Sequence, residues 1–166
     1  IASAVKSIGG GFEHNLERTT KYLLVGHVGT SKHRKAIEKN LEWGIICLRP
    51  EWVFECVAQR SVVDARPFAV LPFTGLTISV TQLHVDSPVE RNALQDLLTS
   101  HGAVFSPNLV KHVCTHLIGV RPEGSKYKRA RQWGTITICS KAWIDKCVSQ
   151  GSWVPEEDFP LVQGGA

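Results

Sequence analysis

Thr115-His116-Leu117-Ile118-Gly119 is followed by Gly124-Ser125-Lys126-Tyr127, then by Ala130 and by Trp133-Gly134. The first half of the chain runs through the same types in the same order: Tyr22-Leu23-Leu24-Val25-Gly26, Lys32, Ala36 and Trp43-Gly44. Lys32 and Lys126 lie 94 residues apart, and Trp43 and Trp133 lie 90 apart. The correspondence extends both ways, through Gly10-Gly11-Phe12 and Asn15-Leu16 upstream and Trp52 and Cys56 downstream. Their counterparts are Gly102-Ala103-Val104-Phe105, Asn108-Leu109, Trp143 and Cys147. So many ordered matches at a nearly constant offset mark two copies of one unit.

The second copy carries the more complete pattern. Leu76 to Thr81 alternates apolar and hydroxylated residues and is β-branched, which predicts a strand. Ser87-Pro88-Val89-Glu90 has the form of a capping box, with Ser at the N-cap, Pro at N1 and Glu at N3. The helix that follows is expected to bury Val89, Ala93, Leu94, Leu97 and Leu98 and to stop at Gly102. Gly102–Phe105 and Cys114–Val120 read as short strands, Ser125–Trp133 as a helix and Thr135–Cys139 as a strand. Ser140 is expected to cap a last helix burying Trp143, Ile144, Cys147 and Val148. The order β-α-β-β-α-β-α implies a mainly parallel sheet with helices on both faces. In the first copy, Ile1–Ile8 matches the end of the first helix, so the opening strand is missing there. The boundaries drawn are 1–66 for the first unit, 67–73 for a Pro-marked linker and 74–160 for the second.

Composition narrows the function classes. The apolar share of 43% supports a packed core. Lys and Arg number 19 against 15 Asp and Glu, an excess that permits an anionic partner without demanding one. No apolar run approaches the roughly 18 residues of a membrane span. The opening residues read as helix rather than as a signal peptide, and the lack of an initiating Met is read as a fragment of a longer protein. The five cysteines sit in apolar segments with no CxxC pair, so a reducing compartment is expected rather than a disulfide framework.

The glycine pair after the first helix, Thr115-His116-Leu117-Ile118 on a strand, and Trp143 with Cys147 in the last helix resemble the BRCT family. Gly9-Gly10, Tyr22-Leu23-Leu24 and Trp52 with Cys56 repeat the resemblance in the first copy. It implies an α/β fold of two BRCT modules, each a small, mainly parallel four-stranded sheet flanked by helices. Within the family, Val28-Gly29-Thr30-Ser31-Lys32-His33 and Gly124-Ser125-Lys126-Tyr127 are similar to the first two modules of the topoisomerase-IIβ-binding replication and checkpoint scaffolds of animals and fungi. The Thr-His-Leu-Ile and Gly-x-Lys-Tyr strings are shared with the tandem modules of PTIP-like repair scaffolds.

A phosphate pocket is expected in the second copy. Thr81 ends the first strand, Arg91 lies early in the first helix, and Lys126 begins the second. In a parallel sheet, strand carboxyl ends and helix amino ends converge on one edge. There a hydroxyl, a guanidinium and an ammonium suit a phosphate, with the N–H of Gln82 as a fourth donor. The resemblance implies the same roles for Thr81, Arg91 and Lys126. In the first copy Lys32 is the one pocket position identified. Trp133 and Lys128 are candidates to flank a bound peptide, with core packing the alternative for Trp133, as for Trp43.

Lys126, Lys128, Arg129 and Arg131, with Arg121 before them, form a basic run that raises weak DNA contact as an alternative. His112, Cys114 and His116 alternate as on one strand face, yet no fourth ligand has zinc spacing, so no metal and no other cofactor is expected. No catalytic triad, nucleotide loop or paired carboxylates stand out. The resemblance implies a nuclear, non-catalytic reader of phosphorylated Ser/Thr proteins in replication and damage checkpoints. Such partners include a checkpoint-clamp tail and replication-initiation or checkpoint-mediator factors. Phosphate-independent protein binding, DNA-end or junction binding, and attachment to a ligase or polymerase stand as alternatives.

Overall fold

The structure, a computed structural model, describes residues 1–83 and 88–163. The chain divides into two compact units, Ile1–Val70 and Leu71–Ala166.

The first unit contains α1 (Ala2–Ser7), β1 (Tyr22–Leu24), α2 (Ser31–Trp43), β2 (Ile46–Leu48) and α3 (Glu51–Gln59). Thr30 caps α2 by accepting the N–H of His33 at 3.1 Å. Gly44, left-handed at φ 63°, ends the helix and returns its N–H to Asn40. Strands β1 and β2 pair in parallel, Leu23 opposite Cys47. Leu48, Trp52, Val53 and Cys56 form a core on which Ala4, Val5 and Ile8 of the α1 segment pack. Gly10 comes so close to α1 that a Cβ there would lie 2.6 Å from the Val5 side chain.

The second unit contains β3 (Thr77–Val80), α4 (Pro88–Ser100), β4 (Val104–Phe105), β5 (His116–Gly119), α5 (Ser125–Trp133), β6 (Thr137–Ser140) and α6 (Lys141–Gln150). Its four strands run parallel in the order β4-β3-β5-β6. In β5 every residue is buried, and in β3 the adjacent residues Ile78 and Ser79 are both fully buried. Side chains of adjacent strand residues point to opposite faces, so both faces of the sheet are covered. Trp143 is fully buried between Phe73, at a ring distance of 5.2 Å, and His116, stacked at 5.0 Å. Burying each such side chain is worth roughly 1.5–3 kcal/mol.

The two units repeat one another in detail. Trp52 donates its indole N–H to Val63, eleven residues on, and Trp143 donates to Val154 across the same separation. The N–H of Arg49 meets Phe68, as that of Ser140 meets Phe159. Within the segment read as a linker, Phe68 is thus tied to the first unit. Phe73 is fully buried in the second.

Several expectations need correction. The Gly10–Phe12 segment forms no strand, although its counterpart holds β4. Among the described residues strand β4 pairs with β3, and Gly10–Phe12 has no such partner. The first unit therefore shows a two-stranded sheet among the described residues. On α4 only Leu98 is fully buried, with Leu94 and Leu97 half-buried and Val89 and Ala93 exposed, so its apolar stripe is narrower than the spacing suggested. Ser87 of the expected capping box lies outside the described residues. Ser140 stands at the N-cap of α6, but its side chain makes no capping hydrogen bond.

The five cysteines are free, and four are buried. Burial pushes the Cys147 thiol up to about 11 and raises that of Cys139 further, which leaves both poor nucleophiles. No described helix is long and apolar enough to cross a membrane.

Candidate functional site

The carboxyl ends of β3, β4 and β5 and the amino end of α5 meet at one edge of the second unit. Thr81 follows β3 directly, and its N–H extends the ladder to Ile118 at 2.8 Å. The Thr81 hydroxyl takes no hydrogen bond among the described residues. Gly119 leaves room for the Thr81 methyl, since a Cβ there would lie 3.1 Å from it.

Lys126 is the second residue of α5, half-buried, and reaches inward rather than into solvent. Its ammonium donates to the Val80 carbonyl at 2.9 Å, the Pro107 carbonyl at 2.8 Å and the Ser79 hydroxyl at 3.3 Å. An ammonium has three protons, and all three are held by neutral acceptors. The charge is therefore placed but not neutralised. Burial first, then the positive charge of Arg91, pulls its pKa below the ordinary lysine value. Arg91, fourth residue of α4, is exposed and close enough to act on Lys126 through its charge. Among the described residues no ion pair includes either cation. A partly buried cation whose hydrogen-bond partners are all neutral keeps its charge available to an anion.

Gln82 has a left-handed backbone at φ 56°. Its side-chain oxygen accepts the N–H of Arg121 at 2.9 Å, and its amide nitrogen donates to the Glu123 carbonyl at 2.8 Å. Its own N–H has no partner among the described residues. Hydrogen bonds bring Lys126 to Val80, beside Thr81, and tie Gln82 to the segment that enters α5, while Arg91 makes no hydrogen bond to them among the described residues. Three participants were not anticipated: Ser79, the Pro107 carbonyl and the Gln82 side chain. The repeated Asn-Leu pair, which follows Pro107 in one unit and His14 in the other, was the signal for the carbonyl.

In the first unit Lys32 takes the place of Lys126 as the second residue of α2, and its ammonium donates to the His14 carbonyl. An open concavity lies beside it, lined by Gly26, His27, Thr30 and Ser31 among others.

The flanking candidates separate. Lys128 is exposed on α5, as are Arg129 and Arg131. Trp133 is half-buried and packs against Leu109, Cys114, Leu117, Ala130 and Ile136. Trp43 packs likewise on Leu16, Ala36 and Ile45, with the Lys35 ammonium 5.3 Å from its ring centre. The strand face shared by His112, Cys114 and His116 does not exist. His112 stands in a turn with φ 64°, Cys114 is buried ahead of β5, and His116 bonds Glu156. Among the described residues no cluster of three or more His, Cys, Asp or Glu is arranged to hold a metal.

The twin BRCT domain family matches residues 76–143, and the BRCA1 C Terminus (BRCT) domain family matches residues 1–57. The chain belongs to the BRCT family. Over 106 residues, 62% of this chain and 10% of the relative, the tandem is 38% identical to PAX-interacting protein 1 of Mus musculus. Over 166 residues, 97% of this chain and 25% of the relative, it is 23% identical to S-M checkpoint control protein rad4 of Schizosaccharomyces pombe. The BRCT tandem thus spans a tenth to a quarter of the length of these relatives. Two crystal structures of Rad4 BRCT1,2 share its fold at 20% identity. The complex with an Mdb1 phosphopeptide has a TM-score of 0.75 over 97% of this chain and 88% of that one. The complex with a Crb2 phosphopeptide has 0.74 over 96% and 88%.

Proposed function

We propose that this BRCT tandem reads phosphorylated Ser/Thr segments of other proteins, with the phosphate held at Thr81, the Gln82 N–H, Arg91 and Lys126. The observation that carries the reading is the Lys126 ammonium, fixed by three neutral acceptors and met by no carboxylate among the described residues. A phosphate dianion supplies the missing charge and several acceptor oxygens. The Thr81 hydroxyl and the Gln82 N–H complete a donor set for it.

Rad4 BRCT1,2 has been solved with phosphopeptides of Mdb1 and Crb2, which supports the same ligand class here. The relatives are checkpoint and PAX-interacting proteins. On that basis the tandem acts as a nuclear, non-catalytic scaffold in replication and DNA-damage checkpoint signalling. Lys32 marks a second, less complete anion position in the first module.

A screen of the tandem against a degenerate phosphoserine and phosphothreonine peptide pool, before and after phosphatase treatment, tests this. Binding that disappears on dephosphorylation is the expected result. Binding indifferent to phosphatase would leave a phosphate-independent interaction module.

A further inference from the structure

Gln82 is out of place by backbone preference and well placed by side chain. Three described residues other than glycine have positive φ: Arg60, Gln82 and His112. Arg60 ends α3 as an ordinary left-handed cap, and His112 sits in a turn between strands. Gln82 caps no helix; it follows a strand and Thr81 at the candidate site. The left-handed region disfavours any residue with a Cβ and suits glycine, so a strained glutamine at this point calls for a compensating contact.

That contact is the carboxamide. It accepts from the N–H of Arg121 and donates to the carbonyl of Glu123, at 2.9 and 2.8 Å, across 39 and 41 residues of chain. Residues 121 and 123 offer an N–H and a C=O two positions apart. The carboxamide pairs with them much as a peptide group on a neighbouring strand would. The segment it grips leads through Gly124, φ 91°, into α5, where Lys126 is the second residue. Gly124 lies so near that a Cβ there would stand 3.5 Å from the Gln82 amide nitrogen. The loop leaving β3 and the loop entering α5 are therefore stitched together by one side chain. One loop carries the Thr81 hydroxyl and the Gln82 N–H, and the other leads directly into the first turn of α5 with Lys126.

We infer that Gln82 is a positioning residue that sets the spacing between these two halves of the phosphate site. Both polar atoms of its side chain are bonded to backbone. It acts by holding its own N–H in the turned conformation and by fixing the start of α5. This rests on the phosphopeptide reading proposed above.

Three variants separate positioning from mere stability. Gln82→Gly relieves the backbone strain and removes the clamp; Gln82→Met keeps the strain and the bulk but removes the clamp; Lys126→Met removes the cation itself. Each is titrated with the tightest peptide that the wild type selects from the degenerate phosphopeptide pool. Each is also followed by thermal unfolding and by amide exchange at Arg121. Gln82→Gly is expected to melt at or above the wild-type temperature, to exchange faster at Arg121 and to bind roughly ten-fold more weakly, the scale of two lost neutral hydrogen bonds. Gln82→Met should lose affinity similarly. Wild-type affinity in both, with Lys126→Met inactive, would overturn this inference and leave the phosphopeptide reading standing. So would a Gln82→Gly protein whose affinity falls only with its melting temperature. A wild type that binds no phosphopeptide would overturn both.

Discussion

The Lys126 ammonium lies 2.8 Å from the Pro107 carbonyl, and the matching lysine of the other module, Lys32, donates to His14, the residue at the same place in the repeat. In each case the carbonyl immediately precedes an Asn-Leu pair, Asn108-Leu109 or Asn15-Leu16. A contact kept in both modules holds the lysine where a solvated side chain would sample many rotamers. Of the three Lys126 acceptors, Ser79 is fully buried while Pro107 is exposed, so an incoming anion competes with Pro107.

Replacing Lys126 by Met therefore removes the central donor. Losing a charged hydrogen bond to phosphate is worth about 1.5–3 kcal/mol, and phosphopeptide affinity should fall roughly 10- to 150-fold by titration calorimetry. Lys126→Arg should recover little of it, because a planar guanidinium cannot point three donors at Ser79, Val80 and Pro107 from that backbone position.

The tryptophan hydrogen bonds predict matched losses of stability. Trp143→Phe leaves the Val154 carbonyl without its donor and should destabilise the second unit by about 1–3 kcal/mol in urea unfolding. Trp52→Phe removes the equivalent bond to Val63. Its effect should be smaller, because Trp52 retains some exposure whereas Trp143 has none and also stacks on His116.

Glu156 makes the second unit acid-sensitive. Burial acts to raise its pKa, but hydrogen bonds from His116 and Trp153 and the charge of His116 outweigh burial and hold it below the ordinary glutamate value. A carboxyl with a depressed folded-state pKa contributes stability above its unfolded value and loses that contribution as pH falls through the folded one. Stability should accordingly decline as pH drops below about 4.3. Glu156→Gln should flatten that decline while lowering stability at neutral pH. Urea midpoints from pH 7 down to pH 3, read by tryptophan fluorescence, check both.

Trp133 is expected to act on stability before binding. Trp133→Ala strips a half-buried ring from the Leu109, Leu117 and Ile136 cluster and should cost about 2–3 kcal/mol, below the 3–5 typical of fully buried aromatics. Unchanged unfolding together with weakened peptide binding would instead assign it to the ligand.

The repeat carried most of the fold. Helix α5 runs from Ser125 to Trp133, as read from its sequence, because glycines stand at both ends: Gly124, and the left-handed Gly134. Signals of that kind are local. The misreadings came where the local pattern was outweighed. His112, Cys114 and His116 alternate like a strand, but the positive φ at His112 bends the chain before β5 begins. Gly10–Phe12 resembles the β4 segment yet pairs with no strand among the described residues. The decisive contacts join residues far apart in sequence: Gln82 with Arg121 and Lys126 with Val80 at the candidate site, and His116 with Glu156 in the core. Periodicity and capping rules do not reach across 40 residues, so the groups that aim the Lys126 ammonium were not legible in the sequence.

Titration calorimetry with one peptide in phosphorylated and unphosphorylated forms, against the wild type and Lys126→Glu, tests the central claim most directly. The account predicts micromolar binding of the phosphorylated form to the wild type, none of the unphosphorylated form, and loss of binding in the variant. Equal affinity of wild type and Lys126→Glu for the phosphorylated peptide would contradict it.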